Sequence, residues 1–169
     1  NDGEPEVIGC AQPDLTFGWQ NNFTWKNWDF SFFFRGTIGN KVLNNPRAAY
    51  ANNTYLIGTN ALDDELTYTM KESSRVCSYY LENGSFIRLD NLALGYTFDT
   101  KKINWLDKAR LYFAAQNLFV ITGYKGLDPE VELFRGESSD TDAGLSPGIE
   151  PRQFFPKART FTLGVNLTF

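Results

Sequence analysis

Residues 160–169 read TFTLGVNLTF, and they alternate strictly between two kinds of side chain. Every second residue from Phe161 to Phe169 is large and apolar, whereas the residues between them are small or polar. Successive side chains of a β-strand point to opposite faces of the sheet. The stretch therefore predicts a strand with one apolar face and one polar face.

Four earlier stretches show the same alternation, with Phe, Trp, Tyr and Leu on the apolar side. They are residues 15–25, 28–35, 86–98 and 109–121. Most of the predicted strands are about 10 to 13 residues long, whereas ordinary globular strands have about 5 or 6 and a tilted membrane-spanning strand needs roughly 9–11. The pattern predicts an all-β fold, namely an antiparallel transmembrane β-barrel segment of about five long strands.

The connections between these strands alternate in length. Residues 26–27 and 99–108 form short turns, whereas 39–85 and 122–157 are very long and polar. Outer-membrane barrels have short periplasmic turns and long extracellular loops, so the long connections are predicted to be extracellular. Several aromatic residues would then lie near the periplasmic rim, where aromatic girdles form. They are Phe23, Trp25, Trp28, Tyr96, Phe98, Trp105 and Phe169.

Five strands cannot close a barrel, and unpaired strand edges in lipid leave backbone hydrogen-bonding groups unsatisfied. We therefore expect the remaining barrel strands to come from outside this sequence, with the apolar face against outer-membrane lipid. Two other classes remain open on the residues alone. A soluble carbohydrate-binding β-sandwich would have aromatic rings in its core and would bind glycans with exposed aromatic residues, and a secreted β-rich hydrolase would use a pair of carboxylates.

The charged residues exclude several kinds of function. The net charge is −4 and the Lys and Arg residues form no basic stripe, so we expect no nucleic-acid partner. The sequence contains no histidine, which excludes Ser-His, Cys-His and His-metal chemistry in this segment. We predict no catalytic residue, no metal site and no cofactor. Cys10 and Cys77 lack metal-site spacing, and the sequence leaves open whether they form a disulfide.

Several stretches resemble motifs of SusC/RagA-type TonB-dependent outer-membrane transporters. They are NGSFIRLDNLALGYTF at 83–98, ARLYFAAQNLF at 109–119, TGYKGLDPE at 122–130, PKARTF at 156–161 and GVNLTF at 164–169. Together with the hairpin at 19–34 they cover nearly the whole chain in the order that the family has. Residues 1–169 therefore resemble the C-terminal portion of such a transporter barrel.

The resemblance implies a barrel of about 22 strands with a plugged lumen, in the outer membrane of Gram-negative bacteria of the Bacteroidota. It implies TonB-driven import of glycans or oligopeptides together with a SusD-type surface lipoprotein, and not an enzyme. The plug domain and the segment that contacts TonB would belong to an N-terminal part that is absent from this sequence. This segment would supply closing barrel strands and extracellular loops.

Aromatic and amide side chains in the long connections are candidates for substrate contact, because aromatic faces stack on sugar rings or clasp a peptide. The candidates are Asn53, Tyr55, Tyr79, Tyr80, Phe134, Phe154 and Phe155. Packing of the loops together, or against the lipoprotein, explains these residues equally well. The final strand resembles the signal that the barrel-assembly machinery recognises, with the residues Phe161, Leu163, Val165, Leu167 and Phe169.

Overall fold

The structure is a computed structural model that describes residues 6–51, 58, 60, 62–63, 78–101, 105–131, 147–152 and 155–169. The described residues form long and short strands, one α-helix and a 3-10 turn at Ser78–Tyr80. The strands are β1 (Leu15–Trp25), β2 (Trp28–Ile38), β3 (Lys41–Leu43), β4 (Leu81–Asn83), β5 (Phe86–Phe98), β6 (Lys108–Thr122) and β7 (Thr160–Thr168), and the helix is α1 (Asn45–Tyr50). The five predicted long strands are confirmed, with bounds that agree within a few residues.

The chain divides into two compact units. The sheet unit consists of Thr16–Gly36, Phe86–Ile121 and Lys157–Phe169, and the loop unit consists of Asn1–Leu15, Thr37–Ser85 and Thr122–Pro156. In the sheet unit the five long strands form one sheet in the order β1-β2-β5-β6-β7. In the loop unit β3 and β4 pair as a separate antiparallel ribbon.

The pairing of β6 with β7 shows the two predicted faces directly. The strands run antiparallel, and Leu163 lies opposite Phe113 while Thr162 lies opposite Ala114. Leu163 is 73% exposed, and the other apolar residues of its face on β7 are exposed as well. An exposed, continuous apolar surface of this kind suits contact with lipid, as the alternation of the sequence predicted.

Aromatic side chains pair along the sheet unit. Trp19 packs edge-on against Phe32 at 5.3 Å between ring centroids, and Phe23 stacks against Phe30 at 6.2 Å. Offset and edge-to-face ring pairs stabilise a sheet by about 0.5–1.5 kcal/mol each beyond their buried area. Such pairs hold neighbouring strands together even where the faces are exposed.

A second set of ring pairs lies at the short-turn ends of the strands. Trp28 contacts Tyr96 at 4.7 Å, and Trp105 stacks on Phe169 at 5.8 Å with an angle of 11° between the rings. The 26–27 turn is also fastened to β5, because the Asn27 side chain donates to the Thr97 carbonyl and the Thr97 N–H donates to the Asn27 carbonyl. Residues predicted to form one aromatic rim therefore do meet in pairs, whereas their depth in a membrane remains a prediction.

Ion pairs cross the polar face of the sheet. Arg110 on β6 binds both carboxylate oxygens of Asp29 on β2, at 3.1 and 2.5 Å. The strand between them, β5, places Gly95 beneath this pair, and a Cβ atom there would lie 2.5 Å from both partners. Glycine at this position therefore leaves the space in which the pair forms.

Asn117 interrupts the regular geometry of β6. Its φ angle is +52°, in the left-handed region that asparagine tolerates better than most residues. Its side-chain oxygen accepts a hydrogen bond from Arg88, and its side-chain nitrogen donates to the carbonyl of Lys157 at 2.7 Å. One side chain therefore joins β5, β6 and the segment that enters β7.

The loop unit has a small core of its own. It contains the buried residues Leu43, Ala48, Ala51 and Tyr80, with Leu81 packed against them. Helix α1 begins where the Asn44 side chain accepts the N–H of Arg47 at 2.9 Å, and Pro46 in the first turn favours that start. The sequence predicted only five long strands and long polar connections, whereas the described residues of the connections also contain two short strands and a short helix. Elements of three to six residues are too short to produce a readable hydrophobic period.

No α-helix in the described part of the chain is long and apolar enough to cross a membrane.

Candidate functional site

The most polar buried feature of the loop unit is a short segment held by two glutamates. Residues 124–127, here called the Tyr124 loop, follow the end of β6. Glu150 has no exposed surface, and its carboxylate accepts hydrogen bonds from the Tyr124 hydroxyl at 2.6 Å and from the Leu127 N–H at 2.9 Å. A buried carboxylate needs such donors, since an unsatisfied one costs several kcal/mol. Glu150 therefore fixes both ends of the loop.

Glu82 holds the middle of the same loop. Its carboxylate accepts from the backbone N–H of Lys125 at 2.7 Å, and from the side chains of Asn44 at 3.2 Å and Arg47 at 3.0 Å. Arg47 and Glu82 are both mostly buried, so this ion pair is less screened than a surface pair. Helix α1, strand β4 and the Tyr124 loop are thus joined at one carboxylate.

A cavity of about 420 Å³ opens beside these contacts. Buried Asn44 and Glu150 lie behind its wall, and Tyr50, Leu62 and Leu127 supply exposed apolar surface. Two exposed charged side chains of opposite sign also line it. They are Asp63 and Lys125.

Burial keeps the Tyr124 hydroxyl protonated. Desolvation raises the pKa of Tyr124 most strongly, and the hydrogen bond to Glu150 and the negative charges of Glu150, Glu82 and Asp128 raise it further. The neutral phenol is the form that can donate to a carboxylate. The contact is therefore stable at neutral pH.

The raised pKa of Tyr124 predicts that the folded loop unit loses stability at alkaline pH. Above about pH 10 an unfolded chain loses the phenolic proton that the folded chain retains, so stability falls as the pH rises. Below that pH both states hold the proton and this group contributes no pH dependence. Limited proteolysis with an alkali-tolerant protease between pH 8 and 11 measures the effect. Tyr124→Phe should flatten the pH dependence, whereas Tyr79→Phe should not, and equal slopes in the wild type and Tyr124→Phe would contradict the assignment.

The structure places the predicted substrate-contact residues in very different surroundings. Tyr80 lies in the core of the loop unit at 1% exposure, whereas Tyr79 is half exposed and lies under the Arg47 guanidinium at 5.6 Å. Phe155 is 88% exposed. The remaining candidates lie outside the described residues. They are Asn53, Tyr55, Phe134 and Phe154. Substrate contact by any of the seven stays a prediction.

The residues that the structure does bring together were not selected from the sequence. Tyr50, Asp63, Lys125 and Glu150 come from four separate segments, and hydropathy gives no signal for their meeting. Only the motif at 122–130 marked this region in advance. Among the described residues, no group of three His, Cys, Asp or Glu side chains is arranged to hold a metal ion. Cys10 is an exposed free cysteine, and Cys77 lies outside the described residues.

The predicted assembly signal occupies one face of the last strand. Its five apolar residues are all exposed, and four of them pair across to β6 in unbroken register. They are Phe161, Leu163, Val165, Leu167 and, at the end of the chain, Phe169. Recognition of this strand by the assembly machinery stays a prediction.

Comparison with known proteins gives consistent relatives for the whole chain. No family model matches it. TonB-dependent receptor P3 of Formosa agariphila is 34% identical over 97% of this chain and 17% of its own length. TonB-dependent receptor SusC of Bacteroides thetaiotaomicron is 31% identical over 99% of this chain and 16% of its own length. The chain thus spans less than a fifth of these curated relatives.

Solved structures agree with the sequence relatives. The RagAB peptide importer in its closed-closed state superposes with a TM-score of 0.72 and 25% identity, over 96% of this chain and 18% of that one. The open sheet with its exposed apolar face is an antiparallel segment of an outer-membrane β-barrel. The chain itself is a barrel segment of the SusC/RagA type of TonB-dependent receptor, as its motifs predicted, and its location is the bacterial outer membrane.

Proposed function

We propose that the protein containing this segment is a TonB-dependent outer-membrane importer of glycans or oligopeptides. The observation that best supports this is the five-stranded sheet itself, which has an exposed apolar face and resembles the RagAB peptide importer along nearly its whole length. The relatives described above are named as receptors or as an importer. Both the fold of this chain and its similarity to these proteins therefore support import as the activity.

This segment has a passive part in that activity. The edge strands β1 and β7 each have one neighbour within the described sheet, and an open edge in lipid leaves backbone N–H and C=O groups without partners. Strands from elsewhere in the same transporter would pair with them, with this chain as the C-terminal portion of the barrel. An N-terminal part would supply the plug domain and the contact with TonB, and a SusD-type lipoprotein would meet the extracellular loops.

Two measurements test the proposal. The first is the intact mass of the native polypeptide in detergent-extracted outer membranes, together with any lipoprotein that purifies with it. We expect a mass several times the 19.2 kDa of this chain, whereas a product near that mass in the soluble fraction would contradict the proposal. The second is uptake of fluorescent tripeptides and oligosaccharides by cells with and without the gene. Uptake of one class should require both this protein and TonB, and uptake independent of both would contradict import.

A further inference from the structure

The cavity beside the Tyr124 loop has two charged side chains without ion-pair partners among the described residues. Lys125 is exposed, and its only hydrogen bond there is made by its backbone N–H to Glu82. Asp63 is exposed too and forms no ion pair within the described part of the chain. Arg47, the other cation of the cavity, is engaged by Glu82 at 3.0 Å. Opposite charges that line one cavity without pairing with each other are available to a ligand that has both signs.

We propose that this cavity binds short peptides with free ends, with Asp63 facing the α-ammonium group and Lys125 facing the terminal carboxylate. The inference rests on the proposed function and names peptides as the substrate class that this site recognises. The apolar surface of Tyr50, Leu62 and Leu127 would take the side chain between the two charged ends. The volume of about 420 Å³ lies within the usual range for small-ligand sites, and a peptide of two or three residues has a suitable size.

The chemistry favours a peptide over a neutral sugar. A neutral oligosaccharide presents hydroxyl groups and gains no net attraction from separate positive and negative groups. A peptide with free ends gains attraction at both of them, and its side chain removes apolar surface of the cavity from water. Because both charged side chains are exposed, the attraction at each end is modest and weakens as salt increases.

The wall of the cavity is fixed before any ligand arrives. Glu82 holds the backbone of Lys125, and Glu150 holds Tyr124 and Leu127 on either side of it. Glu150 has no exposed surface, so it does not touch a ligand and acts as a positioning residue. Fixing a loop in its binding conformation lowers the entropy lost on association. The structure therefore provides both the charges and the rigid frame of a recognition site.

Photocrosslinking with a tripeptide tests the inference in the complete transporter. The probe is Ala-photoleucine-Ala with free ends, and mass spectrometry locates the crosslinks. We expect crosslinks to the cavity segments at 46–50 and 124–127. The peptide concentration that gives half-maximal crosslinking (the half-saturation concentration) should rise roughly five- to thirtyfold in Lys125→Glu and in Asp63→Lys, since each change replaces an attraction with a repulsion. Lys125→Gln and Asp63→Asn should give smaller shifts in the same direction.

The controls separate charge recognition from general damage. Lys101→Glu changes an exposed lysine that does not line this cavity and should leave the half-saturation concentration unchanged. The same tripeptide with N-acetyl and C-amide ends should crosslink much more weakly at the cavity. The inference would be overturned if the free and blocked peptides labelled the cavity equally, or if no crosslinks formed in the cavity. It would also be overturned if maltotriose displaced the probe as effectively as free Ala-Leu-Ala does. Uptake is measured separately in cells. An absence of TonB-dependent uptake would count against the proposed function and not against this binding site.

Discussion

Replacement of Leu163 by arginine is expected to prevent the transporter from accumulating in folded form in the outer membrane. Leu163 lies on the exposed apolar face of β7, opposite Phe113 on β6. An arginine that faces lipid near the middle of the bilayer costs about 2–4 kcal/mol, which is a large share of the stability of a folded protein. Val165→Arg should behave in the same way, because Val165 lies on the same face opposite Leu111.

Thr162→Arg is the matched control for this prediction. Thr162 precedes Leu163 in the same strand but faces the other side of the sheet, opposite Ala114. An arginine on the lumen side can reach water, so we expect near-normal amounts of folded protein. The folded fraction is measured by the heat-dependent mobility of the barrel in gel electrophoresis of purified outer membranes. Equal losses for the two variants would show that the faces of β7 are assigned incorrectly.

Gly36→Ala is expected to weaken the pairing of β2 with β5 severely, although alanine is ordinarily the better strand residue of the two. Gly36 is buried, and a Cβ atom there would lie against the backbone carbonyl oxygen of Phe86 and 2.7 Å from Cζ of the Phe17 ring. The ring can turn, but the carbonyl belongs to the neighbouring strand and moves only if the strand moves. Overpacking of this kind costs typically 1–3 kcal/mol and occasionally more.

Gly123→Ala tests whether that loss comes from the contact rather than from the loss of a glycine. A Cβ atom at Gly123 would meet nothing within 4 Å, so we expect a change of less than about 0.5 kcal/mol. Urea denaturation of the detergent-solubilised transporter, followed by tryptophan fluorescence, compares the two variants. A normal urea midpoint for Gly36→Ala would show that β2 and β5 are not as closely packed as described.

The long strands could be predicted because each has two faces in different environments. The bounds of β1 and β5 match the alternation, and β6 exceeds it by one residue at each end. Strand β2 runs on to Ile38, beyond the predicted end at 35. Phe33 interrupts its polar face and Gly36 has no side chain to read, so the period ends before the backbone pairing does.

The loop unit could not be predicted in the same way. Its strands and helix span three to six residues, and its order depends on side-chain contacts between distant segments. Glu150 and Tyr124 are 26 residues apart, and Glu82 and Lys125 are 43 apart. The sequence does not distinguish a buried glutamate from a solvated one, because the hydrogen-bond donors that satisfy the buried carboxylate come from distant segments. The sequence likewise predicts Tyr80 as a candidate for substrate contact, because the core of the loop unit, in which the structure places it, has no readable sequence pattern.

The side chain of Asn117 has a consequence for how such a transporter can diversify. Asn117 follows Gln116, the last residue of β6 that pairs with β7, and its side-chain nitrogen donates to the carbonyls of Lys157 and Ala158, which lie three and two residues before the start of β7. The starting point of β7 is therefore set by a contact within the sheet unit and not by the length of the connection before it. Insertions and deletions between β6 and β7 can accumulate without sliding the last strand by a residue, a slip that would turn its lipid face inward. The connection between β6 and β7 can thus change in length and sequence while the strands of the sheet keep their register.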